Sequence, residues 1–110
     1  MTQLETILQN QQHKRGSLSV HDTITREVYC RAMESHPNAK VYMNYEWQQG
    51  TKSGEVDVLV EYPDRYIFYE IKSCNRIRKA QKQYNRFKIY YAKKEVKGVY
   101  ISPYDVVRLR

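Results

Sequence analysis

Two neighbouring segments with period-two hydrophobic patterns constrain the fold of this chain most. Every second residue is apolar from Val56 to Tyr62 and from Ile67 to Ile71, and Pro63 and Asp64 stand between the two segments. Such alternation is typical of strands with one buried face, and a Pro-Asp pair is typical of a tight turn. We therefore expect an antiparallel hairpin near the middle of the chain.

The pairing expected in this hairpin brings two carboxylates together. In the first strand three valines are expected to share one face, which leaves Asp57 on the other. In the second strand Glu70 and Lys72 share a face. A turn on Pro63 and Asp64 places Asp57 directly opposite Glu70, with their Cβ atoms roughly 5 Å apart. The valines are Val56, Val58 and Val60.

Paired carboxylates with a nearby ammonium favour a particular chemistry. Adjacent carboxylates repel each other unless a cation lies between them. Mg²⁺ is bound by one or two carboxylates together with water and phosphate oxygens. The ion activates a bound water and neutralises the charge that develops on a phosphate, while a Lys orients the water or stabilises that charge. These residues therefore predict metal-assisted hydrolysis of a phosphodiester.

The basic residues are concentrated in one part of the chain. The formal net charge is +7, and ten basic residues against the single acidic Glu95 lie between Lys72 and Lys97, so this window carries +9 and the remainder −2. Aromatic residues are interleaved with them. A clustered positive surface of this kind indicates a polyanionic partner such as nucleic acid. The alternative is a solvated helix face that keeps the protein soluble.

The remaining segments predict an α-β-β-β-α-β order. We expect an α/β fold with a small mixed sheet flanked by helices. Residues 1–18 are interpreted as a polar N-terminal arm or short helix, and residues 19–110 as a single domain. Within that domain we expect a helix over 20–35, a strand over 41–47, a loop over 48–54, a helix over 76–94 and strands over 98–101 and 106–109.

Two short motifs carry a resemblance to a known family. Residues 54–57 read GEVD and residues 70–72 read EIK, with twelve residues between Asp57 and Glu70. This arrangement resembles the PD-(D/E)xK nuclease superfamily, and in particular small RecB/Cas4-like nucleases and Holliday junction resolvases. Val56 stands where the motif's name has Pro. The resemblance implies a restriction-endonuclease-like core, which agrees with the predicted order of elements.

The resemblance also implies roles for single residues. Asp57 and Glu70 would bind Mg²⁺ or Mn²⁺, the backbone carbonyl of Ile71 would be a further ligand, and Lys72 would be catalytic. Many members carry another metal-binding Glu on the preceding helix. Glu27 is the candidate for that position, and Glu34, near the end of the helix, is its competitor.

Three further residue types bear on the same resemblance. RecB-like members carry a Gln and a Tyr on the helix after the Glu-x-Lys strand, and Gln83 fits with Phe87 in the Tyr position. Some members also use a His ligand, for which His21 is a candidate, although a His at a helix N-terminus is more often merely exposed. Only Cys30 and Cys74 are present, which excludes a four-cysteine iron–sulfur cluster and favours a reducing cytoplasm.

Together these features predict a divalent-metal-dependent deoxyribonuclease, with endonuclease and exonuclease action both open. We expect a homodimer, because a chain of 110 residues offers little surface to hold a duplex. The sequence contains no run of 18 apolar residues, so it predicts no membrane-spanning helix. The residues expected to hold the DNA backbone are Arg76, Arg78, Lys79, Lys82 and Arg86.

Three other interpretations stay open at this point. The first is a nucleic-acid-binding module, or a partner-dependent subunit, with the same fold and no chemistry. The second is a basic RNA-binding protein. The third is structural, in which the charged residues form an ion-pair lattice on a solvated sheet face; these residues are Glu55, Asp57, Glu61, Glu70 and Lys72.

Overall fold

A computed structural model of the protein describes residues 19–110, so the predicted N-terminal arm lies outside the described residues. None of the helices in this range is long and apolar enough to cross a membrane. In chain order the elements are α1 (Val20–Ser35), β1 (Lys40–Gln49), β2 (Lys52–Glu61), β3 (Arg65–Ile71), α2 (Ile77–Tyr90), β4 (Glu95–Ile101) and β5 (Val106–Leu109).

The five strands form one mixed sheet in the order β1-β2-β3-β4-β5. β3 and β4 are parallel and are joined through α2, and the other neighbouring strands are antiparallel. Val60 pairs with Ile67, so β2 and β3 have the register predicted from the turn at Pro63. The α/β class and the mixed sheet are therefore confirmed.

Helix α1 begins where the sequence provides a cap, because the Ser19 hydroxyl accepts a hydrogen bond from the backbone N–H of Asp22 at 3.1 Å. The helix covers one face of the sheet. Ile24 and Ala32 are buried there. The buried sheet residues that pack with them are Val58, Val60, Ile71 and Ile101.

Helix α2 covers the opposite face with a stripe of apolar residues at helical spacing. Ala80, Tyr84 and Phe87 are buried, and the buried residues that pack with them include Trp47, Leu59, Phe68 and Tyr100. The helix approaches β4 so closely that a Cβ on Gly98 would lie 2.6 Å from the Tyr84 ring. The helix ends at Tyr90 and not at residue 94, and β4 begins earlier than predicted, at Glu95.

The predicted loop over 48–54 is instead a tight hairpin. β1 runs to Gln49 and β2 begins at Lys52, with Gln49 and Lys52 paired. Gly50 has φ of 62°, the left-handed conformation that two-residue hairpin turns require. The polar composition of the segment favours a loop, but most of its residues pair in the antiparallel β1–β2 ladder.

The alternation of β2 shifts by one residue at Asp57. The pairing of β1 with β2 keeps one register throughout but skips Asn44 and Asp57, and Asn44 has φ of 54°. Val58 and Val60 pack with α1, whereas Val56 packs with the residues under α2. The prediction that the three valines share a face was therefore wrong. The irregularity releases Asp57 from the regular pleat at the point where the candidate site forms.

Candidate active site

Asp57 lies where β2 and β3 stop pairing. The last pair of their ladder is Val58 with Tyr69, and the same register continues to Asp57 opposite Glu70. The Asp57 carboxylate oxygen Oδ2 accepts a hydrogen bond from the backbone N–H of Ile71 at 2.8 Å. Its side chain thus crosses to β3 and fixes the strand end beside Glu70. Only 6% of Asp57 is exposed.

Glu70 is the most unusual ionisable group among the described residues, since it is 2% exposed. Burial raises the pKa of its carboxyl well above the ordinary value of 4.5, and a hydrogen bond to Asp57 and the charge of Asp57 raise it further. The charge of Lys72 lowers that pKa, and the charge of Glu55 raises it. The two carboxyls of Asp57 and Glu70 therefore lie together, as the sequence predicted.

One oxygen of Glu70 has no partner. Oε2 is buried without a hydrogen bond, while Oε1 lies 3.9 Å from Nζ of Lys72. A buried unpaired carboxylate oxygen is costly unless a proton or a cation compensates it. The pair Asp57–Glu70 thus either holds a proton or binds a positive ion.

Lys72 is positioned by the parallel pair β3–β4. Its backbone N–H donates to the carbonyl of Ile101 at 2.9 Å, directly after the last residue of β3. Its side chain is 15% exposed, so the ammonium is close to both the buried Glu70 carboxylate and the surface. This is the placement expected of a group that contacts a substrate at the strand ends.

His21 also reaches Asp57. Its Nε2 lies 3.3 Å from Oδ1 of Asp57, and its Nδ1 lies 3.3 Å from Oδ1 of Asp22. Helical spacing was the available signal, because His21 precedes the buried Ile24 and Thr25 by three and four residues and so shares their face. The sequence pattern alone favours Glu27 over His21 as the α1 residue of the site.

The structure does not bring Glu27 to the carboxylate pair. Its Oε1 accepts a hydrogen bond from Nε of Arg31 at 2.7 Å, one turn further along α1. Glu27 follows His21 by six positions. At 3.6 residues per turn, the two side chains project from different sides of the helix. Glu34 is exposed near the end of α1. The α1 residue in contact with Asp57 is therefore His21.

Besides Glu70, Gln83 also has a buried side-chain oxygen without a hydrogen-bond partner. It lies on α2 beside the buried Tyr84, and its Oε1 has no hydrogen-bond partner. Glu70 lies two residues after Phe68 in β3, and residues two apart in a strand share a face. Because Phe68 packs under α2, Glu70 belongs to the face that α2 covers. Two unpaired acceptors, from Glu70 and Gln83, thus belong to one side of the sheet.

The donor set suits a hard divalent cation. Two carboxylates with amide and backbone oxygens match the preference of Mg²⁺, which retains several waters and needs few protein ligands. Within residues 19–110 no three His, Cys, Asp or Glu side chains group as a metal site. The protein contribution would therefore rest on Asp57 and Glu70, supplemented by neutral oxygens.

The interpretation as a solvated ion-pair lattice is wrong. Asp57 and Glu70 are buried, not solvated. Glu61 belongs to a different group at the other end of β2, where it accepts hydrogen bonds from Tyr66 at 3.1 Å and from Lys94 at 3.3 Å. The acidic residues of the hairpin therefore have separate environments.

The cations predicted to hold nucleic acid are accessible. All five are exposed, and none forms an ion pair within the described part of the chain. Arg76 lies beside the end of β4, because its backbone N–H donates to the Tyr100 hydroxyl at 3.2 Å. The positive surface thus begins four residues after Lys72. The residues are Arg76, Arg78, Lys79, Lys82 and Arg86.

Comparison with known proteins establishes similarity at the level of the fold. No family model matches the chain, and no curated protein matches it. Among solved structures, the crystal structure of SSO0001 is similar, with a TM-score of 0.56 and 14% sequence identity. The match covers 94% of this chain and 55% of the SSO0001 chain. This chain therefore spans about half the length of that protein.

Proposed function

We propose that the protein is a divalent-metal-dependent deoxyribonuclease that hydrolyses DNA phosphodiester bonds. The observation that carries the proposal is the buried pair of Asp57 and Glu70, with an unpaired Glu70 oxygen, beside Lys72 at the end of β3. Strand ends of this kind are frequent positions for binding sites in α/β folds.

Each residue of the site has a role in the proposal. Asp57 and Glu70 would hold Mg²⁺ or Mn²⁺, with the backbone carbonyl of Ile71 as a further ligand. A divalent ion held there would supply activation of a water and neutralisation of charge on the phosphate. Lys72 orients the water or stabilises the developing charge. His21 keeps the Asp57 carboxylate in place through its 3.3 Å contact.

The exposed cations of α2 support DNA as the substrate. Arg and Lys side chains hold a phosphate backbone without reading its sequence, and their charge accelerates encounter. Because α2 begins five residues after Lys72, a strand held along it would pass the site. A homodimer would supply a second such surface for a duplex.

A second candidate is a nucleic-acid-binding module without catalysis, alone or as a subunit. It is favoured by one observation, that within residues 19–110 no third His, Cys, Asp or Glu joins the carboxylates as a metal group. In this case the buried pair would hold a proton and the basic helix would carry the function.

Cleavage of four labelled DNAs distinguishes the two candidates. The substrates are a linear duplex, a single strand, a supercoiled circle and a four-way junction, each incubated with Mg²⁺, with Mn²⁺ and with a chelator. Cutting that needs the metal supports the nuclease, and the ranking of substrates gives its type. Tight binding with no cutting under any condition contradicts the nuclease and supports the binding module.

The basic surface of α2 is expected to govern the salt dependence of DNA binding. Replacing Lys79, Lys82 and Arg86 with Gln should reduce the slope of log K against log salt by about 0.9 per lost phosphate contact on duplex DNA. Titrations at several salt concentrations measure the slope. The matched control is Lys40→Gln, which removes an exposed charge on β1. Equal slopes for the triple variant and the control would contradict the assignment of α2.

A further inference from the structure

The turn between β4 and β5 places an aromatic ring in solvent. Tyr104 is 79% exposed, more than any other large hydrophobic side chain among residues 19–110. A single exposed aromatic residue needs no explanation by itself. Its position and the hydrogen bonding of its turn are what give it significance.

The turn that carries Tyr104 is fixed by hydrogen bonds. Ser102 is buried, and its hydroxyl accepts hydrogen bonds from the backbone N–H groups of Tyr104 and Asp105, each at 3.2 Å. The backbone N–H of Ser102 donates to the carbonyl of Asp105 at 2.9 Å. The Asp105 carboxylate accepts from the N–H of Val106 at 2.9 Å. The ring is therefore presented by a closed turn.

This turn lies at the same end of the sheet as the candidate active site. Ile71 pairs with Ile101 in the parallel ladder, and the N–H of Lys72 donates to the Ile101 carbonyl. Ser102 is thus the neighbour of Lys72 across a strand spacing of about 4.8 Å, and Tyr104 follows two residues later. We therefore expect a nucleotide next to one bound at Lys72 to lie near the ring.

A cation lies at this end of the sheet as well. Arg76 is beside the end of β4 and forms no ion pair within the described residues. An accessible aromatic ring together with a backbone-binding cation is the combination that proteins use for single-stranded nucleic acid, in which bases stack on the ring. A paired base in an intact duplex does not offer its face in this way.

We propose that Tyr104 is a stacking platform for an unpaired base next to the candidate active site, so that the favoured substrate is single-stranded or locally unpaired DNA. The proposal rests on the proposed function, because it assigns the substrate class of the same site. It requires the ring of Tyr104 and not its hydroxyl.

Binding without cleavage tests the proposal. The full chain is titrated with a labelled single strand in chelator, as wild type, Tyr104→Phe and Tyr104→Ala. We expect Tyr104→Phe to bind like the wild type and Tyr104→Ala to bind about tenfold or more weakly. The loss should disappear on an oligonucleotide of the same length made of abasic sites, and on a blunt-ended duplex.

A matched control separates stacking from the loss of apolar surface. Val106 is 59% exposed on the neighbouring strand β5, and Val106→Ala should bind the single strand like the wild type. Light scattering reports the oligomeric state of all four proteins. A change of oligomeric state in both Tyr104→Ala and Val106→Ala would overturn the proposal and assign the surface to a protein contact.

Other outcomes also decide the question. If Tyr104→Ala binds the single strand as tightly as the wild type, or loses affinity equally for abasic and normal strands, stacking is wrong. If the wild type cuts DNA with metal in either case, the proposed function stands and only the substrate assignment fails. If the wild type binds none of the DNAs, both proposals fail.

Discussion

Lys72→Met is expected to reduce the rate of DNA cleavage by about 10²–10³-fold, because in the proposed nuclease the Lys72 ammonium stabilises the charge that develops on the phosphate. Met keeps most of the apolar length of the side chain, which is 15% exposed. The fold and the contact of the Lys72 backbone with Ile101 should therefore persist. Single-turnover cleavage at saturating DNA measures the effect on the chemical step.

Two comparisons make the Lys72 result specific. Lys40→Met also removes one positive charge, but from an exposed site on β1, and it should cleave like the wild type. DNA affinity should change little in Lys72→Met when measured with a chelator. A variant at Lys72 that binds weakly and cleaves normally once saturated would assign Lys72 to binding and contradict its catalytic role.

Glu70→Gln is expected to make the metal-free protein more stable above neutral pH. Burial and Asp57 raise the pKa of Glu70 in the folded state above its ordinary value of 4.5. The folded state therefore binds a proton more tightly than the unfolded state. The stability from this group is fully present below pH 4.5 and is lost as the pH rises toward the raised pKa, by up to about 1.4 kcal/mol per pH unit. Gln carries no such penalty.

Urea unfolding in chelator from pH 5 to pH 8 measures this difference. The free energy of unfolding of the wild type should fall with pH more steeply than that of Glu70→Gln. Glu27→Gln is the control, because Glu27 is partly exposed and paired with Arg31, and exposed pairs contribute little. Parallel pH profiles for the wild type and Glu70→Gln would contradict the raised pKa.

At high pH, a divalent metal should make the wild type more stable than Glu70→Gln, which reverses the order expected in chelator. A cation that binds the ionised pair stabilises the folded state in proportion to its saturation. Mn²⁺ should therefore raise the midpoint of thermal unfolding of the wild type and leave that of Glu70→Gln unchanged. An equal shift in both proteins would place the metal away from Glu70.

The fold was predictable where local patterns and tertiary packing agree. The β2–β3 register followed from the turn at Pro63, and the apolar stripe of α2 followed from helical spacing. The face of Val56 was not predictable in this way, since it depends on the left-handed conformation of Asn44 on the neighbouring strand. Asn tolerates the left-handed conformation, but the sequence alone does not show that Asn44 adopts it within a strand.

The carboxylate pair of the candidate site was predictable from the sequence, but the α1 residue that contacts it was not. Asp57 and Glu70 lie on adjacent strands, and strand register alone brings them together. The α1 residue that joins them depends on how the helix is rotated on the sheet. The family resemblance favoured Glu27, but the rotation of the helix buries Ile24 and Thr25 and so presents His21 to Asp57.

The dependence of DNA cleavage on metal concentration in three proteins tests the central proposal most directly. The wild type, Asp57→Asn and Glu27→Gln are compared on one labelled single strand with increasing Mn²⁺. We expect saturable cleavage by the wild type and Glu27→Gln, and none by Asp57→Asn, whose fold is checked by its unfolding midpoint. Cleavage by Asp57→Asn at the wild-type rate, or binding of DNA by the wild type with no cleavage at any Mn²⁺ concentration, would contradict a metal-dependent nuclease built on Asp57 and Glu70.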